Sequence, residues 1–149
     1  WDFEAFERSD NFEDVIAPDA LNIIDYMEVH GEFWTVGQKI KKIHDRLREG
    51  IAIIAIQKSM GAEYGRGATF GAERPRLYVS LDRQYFPELH RTYGKMHIKK
   101  GKNRRDLDKN PAGLVRYYEV ERGSLITPFR DWHRYGDYDF ERKSKKGRY

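Results

Sequence analysis

A carboxylate, Asp25, closes the apolar run Leu21-Asn22-Ile23-Ile24, and a carboxamide, Gln57, closes a second run, Ile51-Ala52-Ile53-Ile54-Ala55-Ile56. Each run is too short for a helix and rich in β-branched residues, which is how a strand buried on both faces of a parallel sheet reads. A lone polar group is costly to bury without a partner, and the carboxyl edge of an open α/β sheet is where ligands bind. There, a carboxylate can hold the Mg²⁺ of a nucleotide through a water. An amide beside it can contact a γ-phosphate or its attacking water and report hydrolysis to the loop that follows. The plain alternatives are an aspartate capping the next turn and a glutamine bonded to backbone.

The elements between these residues have to bring them together. Residues 32–48 carry Phe33, Val36, Ile40, Ile43 and Leu47 at helical spacing, with Lys39, Lys41, Lys42, Asp45 and Arg48 opposite and Gly50 as the stop. Strand, helix and strand in about 35 residues make a βαβ unit whose right-handed crossover sets the two strands parallel. Residues 1–8 alternate loosely and predict a short strand, and Pro18-Asp19 predicts a turn into the first buried strand. Residues 59–74 form a glycine-rich loop with Gly61, Gly65, Gly67 and Gly71, in which Gly71 comes one residue too late for a dinucleotide fingerprint. Strands are predicted over 77–81 and 96–100, then a hairpin of 114–120 and 124–126 across Glu121-Arg122-Gly123. From Arg130 onward no periodicity is visible, and the tail is expected to be irregular.

In this order the motifs resemble the latter half of a RecA-type ATPase core, closest to the motor domain of DnaB-type replicative helicases and related phage proteins. The resemblance covers about residues 20–127 and rests on Leu21-Asn22-Ile23-Ile24-Asp25-Tyr26-Met27-Glu28, the strand ending in Gln57, the glycine-rich loop, and Lys102-Asn103-Arg104. It implies an α/β fold, a partial RecA-like P-loop NTPase sheet: a parallel βαβ unit followed by C-terminal antiparallel strands. Residues 1–128 would be the C-terminal portion of the ATPase domain and 129–149 a basic, aromatic tail.

By the same resemblance Asp25 is the Walker B aspartate that holds Mg²⁺ through water, and Gln57 is the phosphate sensor. Lys102 and Arg104 enter the neighbouring subunit's ATP site, Arg104 as an arginine finger stabilising charge on the transferred phosphoryl group. The loop is the DNA-contacting loop: its glycines admit phosphates, Lys58, Arg66 and Arg74 supply charge, and Phe70 or Tyr64 can stack on a base. The implied cofactors are ATP and Mg²⁺. The implied partners are single-stranded DNA and neighbouring subunits of a ring-shaped homo-oligomer, a hexamer, in the cytoplasm of a bacterial or phage-infected cell.

At 149 residues the chain is the size of one domain, and 14% aromatic content argues against disorder despite 35% charged residues. The net charge of +4 is unevenly laid out. Residues 1–32 are acidic, six basic residues and no acid fall within 95–105, and five more basic residues fall within 142–148. Such blocks favour a polyanionic partner. No cysteine is present, so neither disulfides nor thiolate chemistry arise. The five histidines lack metal-ligand spacing, and no nucleophile elbow supports a serine triad.

No Gly-x-x-x-x-Gly-Lys-Ser/Thr occurs in the sequence. In the family the phosphate-cradling loop and the water-activating glutamate lie upstream of the metal-site strand, and the chain opens on Trp1. The expectation is therefore a fragment of a larger ATPase, inactive alone, with the edge of the Gln57 strand left unpaired. The rival expectation is a non-catalytic, basic nucleic-acid-binding module in which Asp25 is structural.

Overall fold

A computed structural model describes residues 2–28, 32, 34–102, 105, 106 and 108–138. The chain divides into two compact units, Trp1–Pro75 and Arg76–Tyr149.

The first unit is a parallel pair of strands with helices. It comprises a 3-10 turn at Phe12–Val15, strand β1 (Leu21–Met27), helix α1 (Thr35–Arg46), strand β2 (Ile51–Ile56) and a short helix α2 (Ala68–Glu73). The predicted parallel pairing is present: Leu21 faces Ile51 and Ile24 faces Ile54, after which the register slips so that Met27 faces Ile56. The slip is one extra residue in β1, a bulge around Asp25 and Tyr26, whose peptide bond is cis. Strict alternation would send Tyr26 toward the helix; the bulge instead returns Met27 to that face, fully buried, and leaves Asp25 and Tyr26 exposed.

Ile24 and Met27 close a core with Val36, Ile40 and Ile43 of α1 and with Phe12, to which Ile16, Ala52, Ile54 and Ile56 add partly buried surface. The helix forms because its apolar positions at 36, 40 and 43 share one stripe. Lys41 pairs with Asp45 one turn along, and the Thr35 hydroxyl donates to the Glu32 carbonyl at 2.7 Å.

The expectation that both faces of the parallel strands are buried is not met. Leu21, Ile23, Ile51 and Ile53, on the face away from α1, are each more than half exposed. A single crossover helix can cover one face only, and a second layer requires further crossovers.

In the second unit, β3 (Leu77–Phe86), β4 (Arg91–Gly101), β5 (Leu114–Glu121) and β6 (Leu125–Pro128) form an antiparallel sheet in that order. A two-residue strand, β7 (His133–Arg134), pairs with the opposite end of β5 from β6. One sheet face packs Phe86, Tyr93, Val115 and Tyr117 against Phe129 and Tyr135. Phe86 meets Tyr93, Tyr117 and Phe129 edge-on at 4.8–5.5 Å between ring centres. This is the arrangement aromatic quadrupoles favour. On the other face Leu81 and Tyr85 are exposed.

Other sequence expectations are corrected. Residues 2–8 form no strand, and Phe3 and Phe6 are exposed. The glycine-rich stretch is not all loop, since it contains α2. The strands predicted over 77–81 and 96–100 extend to Leu77–Phe86 and Arg91–Gly101. The described part of the tail is not irregular throughout, because β7 joins the sheet. Trp1, Phe33 and residues 139–149 lie outside the described residues.

Candidate phosphate rim and nucleic-acid loop

The two strands of the first unit are fastened where they begin. The Asn22 carboxamide accepts from the Ala17 N–H at 2.9 Å and donates to the carbonyls of Ala17 (2.9 Å), Ala20 (3.1 Å) and, at longer range, Ile51 (3.4 Å). The N–H groups of Arg48 and Gly50 both donate to the Pro18 carbonyl at 2.9 Å, and that of Ile51 donates to Ala20 at 3.0 Å. The approach leaves no room for a side chain at position 50: a Cβ there would lie 2.5–2.8 Å from Ala20 and Pro18 backbone atoms. Arg48 and Asp19 add an ion pair across the same seam.

With the starts fixed and the strands co-directional, both chains emerge at the opposite rim. Asp25 lies in the bulge two residues before β1 ends, and Gln57 directly follows β2. Both are exposed. Among the described residues, no hydrogen bond or ion pair engages the Asp25 carboxylate or the Gln57 side chain, so both polar groups remain available to a ligand.

The segment after Gln57 folds back on it. The Arg66 N–H donates to the Gln57 carbonyl at 2.8 Å, closing a ten-residue loop, and Ala68 and Phe70 donate to Gly65 (2.9 Å) and Gly67 (3.0 Å) as α2 begins. Gly67 sits at φ +95°, where a side chain would be strained. Of the cations assigned to this loop, Arg66 and Arg74 are exposed and Lys58 is half-buried. Phe70 is 48% exposed. Phe70 and Arg74 are four residues apart at α2, so they share a side of it.

Gly37 of α1 meets the Phe70 backbone: a Cβ at 37 would be 3.2 Å from the Phe70 carbonyl oxygen. Gly71 faces Val36 and Ile56, and a Cβ there would lie in ordinary contact with their side chains, at 3.5 Å and 3.9 Å. The roles of Asn22, Gly37 and Gly50 in holding this unit together emerge only in the structure. A glycine inside an amphipathic helix is a signal for close packing at 37, whereas nothing local marks Asn22 as a clamp.

In the second unit Lys102 is exposed immediately after β4, and its N–H donates to the Arg76 carbonyl at 2.7 Å. Arg104 lies outside the described residues. Among the described residues no group of three or more His, Cys, Asp or Glu side chains is arranged to hold a metal ion, and no helix is long and apolar enough to cross a membrane. Compared with protein-family models, curated proteins and solved structures, the chain matches none of them.

Proposed function

We propose that the chain is part of a DNA-dependent ATPase motor of the replicative-helicase type. One observation carries the reading. Two co-directional strands, fixed at their starts, deliver an unengaged carboxylate (Asp25) and an unengaged carboxamide (Gln57) to one rim, and a closed loop bearing Lys58 and Arg66, then α2 with Phe70 and Arg74, follows the carboxamide.

The donor set suits Mg²⁺ carried by a nucleotide. Mg²⁺ keeps several waters and takes only one or two carboxylates besides phosphate oxygens. A single exposed aspartate is therefore sufficient where a protein-only metal cage would need more. In this role Asp25 orients the hydrated metal, Gln57 contacts the terminal phosphate or the attacking water, and a change at Gln57 moves the loop hydrogen-bonded to its carbonyl. Lys102, and Arg104 beyond it, would act on the site of a neighbouring subunit in a ring. The phosphate-cradling loop, for which these 149 residues contain no motif, would come from elsewhere in the assembled motor.

The test is DNA-stimulated ATP hydrolysis in the assembled protein with that loop present. Asp25→Ala should abolish turnover, Gln57→Ala should retain ATP binding and lose stimulation by DNA, and Arg104→Ala should slow hydrolysis by about 10³-fold or more. Unchanged turnover in Asp25→Ala and Arg104→Ala would refute the assignment.

The rival, a non-catalytic nucleic-acid-binding module, is favoured by the exposed Leu81, Arg83 and Tyr85 of β3, the strand paired with β4 and its Lys95, Lys99 and Lys100. It requires salt-sensitive DNA binding that is indifferent to Asp25→Ala and to ATP.

A further inference from the structure

We propose that Gly37 is a positioning residue for the nucleic-acid loop. By having no side chain it lets α2 dock on α1 at the one depth that presents Phe70 and Arg74 outward. The inference rests on the reading of residues 58–74 as the DNA-contacting segment.

The loop has few anchors of its own. Its amino end is held by the Arg66–Gln57 backbone bond, and its carboxyl end is α2, a helix of six residues. Six residues make less than two turns, too short to be stable by propensity, so α2 holds its place through tertiary contact. That contact is α1: a Cβ added at 37 would meet the Phe70 carbonyl oxygen at 3.2 Å and the Phe70 Cβ at 3.7 Å. The nearest obstacle is backbone, which cannot rotate aside as a side-chain tip can. Any side chain at 37 therefore displaces α2 at the residue whose ring is offered for stacking. Gly71 provides the internal comparison, because the nearest atom a Cβ there meets is in the Val36 side chain at 3.5 Å, an ordinary contact.

The same geometry separates positioning from stability. Gly37 lies inside α1, where alanine is the better helix former. Gly37→Ala should thus keep or raise the melting temperature while pushing α2 outward.

The experiment measures binding of a fluorescent oligothymidylate to the protein across a salt series, alongside thermal melting. Phe70→Ala and Arg74→Ala should each weaken binding about tenfold, the scale of one lost stacking or phosphate contact. Gly37→Ala should weaken it about threefold and Gly37→Val about tenfold, with a shallower dependence of log affinity on log salt as Arg74 leaves its phosphate. Loss of binding in Phe70→Ala and Arg74→Ala without loss in Gly37→Val would overturn the positioning role alone. So would a Gly37→Ala loss of binding accompanied by a lowered melting temperature. Full binding in Phe70→Ala and Arg74→Ala would instead overturn the loop assignment beneath it.

Discussion

Asn22 fastens the turn before β1 and reaches the start of β2, and replacing it should separate two kinds of loss. Its carboxamide makes three good hydrogen bonds at 2.9–3.1 Å and a long one at 3.4 Å, joining the turn before β1 to the start of β2. Asn22→Ala deletes all of them. At about 1 kcal/mol net each, reduced because water reaches this half-buried site, the cost is about 2 kcal/mol. Asn22→Asp is closer in shape and should be worse. It keeps the acceptor for the Ala17 N–H but turns the donor into a second oxygen facing the carbonyls of Ala17, Ala20 and Ile51. Losing those donor bonds and adding that repulsion should cost about 3–4 kcal/mol near neutral pH.

The carbonyls push the introduced carboxyl's folded-state pKa above its unfolded value of about 3.9. The extra penalty is therefore complete above the raised folded value and shrinks as pH falls through it. Urea unfolding followed by tryptophan fluorescence in a Trp132→Phe background reads the first unit, because Trp1 and Trp34 both lie in residues 1–75. The expected midpoints fall in the order wild type, Asn22→Ala, Asn22→Asp, with the last two converging in acid. An Asn22→Asp protein as stable as Asn22→Ala at neutral pH would refute the clamp.

Two further outcomes are expected. Lys39 hydrogen-bonds Asp10 and Lys42 hydrogen-bonds Glu13, and each bond holds its carboxyl below the ordinary carboxylate range. That stabilisation is present above the unfolded carboxylate values and is lost as pH falls through the lower folded ones. The segment from Asp10 to Asp14 should therefore loosen from α1 in acid, and also in high salt because these pairs are solvent-screened, as amide hydrogen exchange at Asp14, whose N–H is bonded to the Asn11 carbonyl, would show. In the second unit a Cβ at Gly94 would lie 2.4–2.8 Å from three Tyr118 ring carbons. Gly94→Ala should cost about 1–3 kcal/mol by overpacking, and Tyr118→Ala should relieve most of it in a double-mutant cycle.

The βαβ unit is legible in the sequence because its signals are local. β-branched runs at 21–24 and 51–56 bracket a helical stripe at Val36, Ile40 and Ile43, and each pattern belongs to one element. The bulge at Asp25 and Tyr26 is not legible, because it is set by which residue reaches the core, and that is decided jointly by Met27, Ile56 and α1. The helix α2 is hidden for a similar reason: Gly67 and Gly71 suggest a loop, and the contact that orders the helix is with Gly37, some thirty residues upstream. β4 outruns its predicted span because its first half, Arg91-Thr92-Tyr93-Gly94-Lys95, buries only Tyr93 and looks polar along the chain. The two-residue β7 exists only through its pairing with Leu114 and Val115. Asp25 and Gln57 stand out as polar ends of apolar runs, whereas Asn22 passes as one more strand residue and Gly50 as an ordinary helix stop.

The fastening of β1 to β2 is concentrated at one end of the pair, so the two ends answer to different demands. Substitutions among Pro18, Asn22 and Gly50 are paid for in foldedness, while those beyond Ile56 leave the frame standing. Lengthening or recharging the stretch after Gln57 therefore leaves the seam at Pro18, Asn22 and Gly50 untouched.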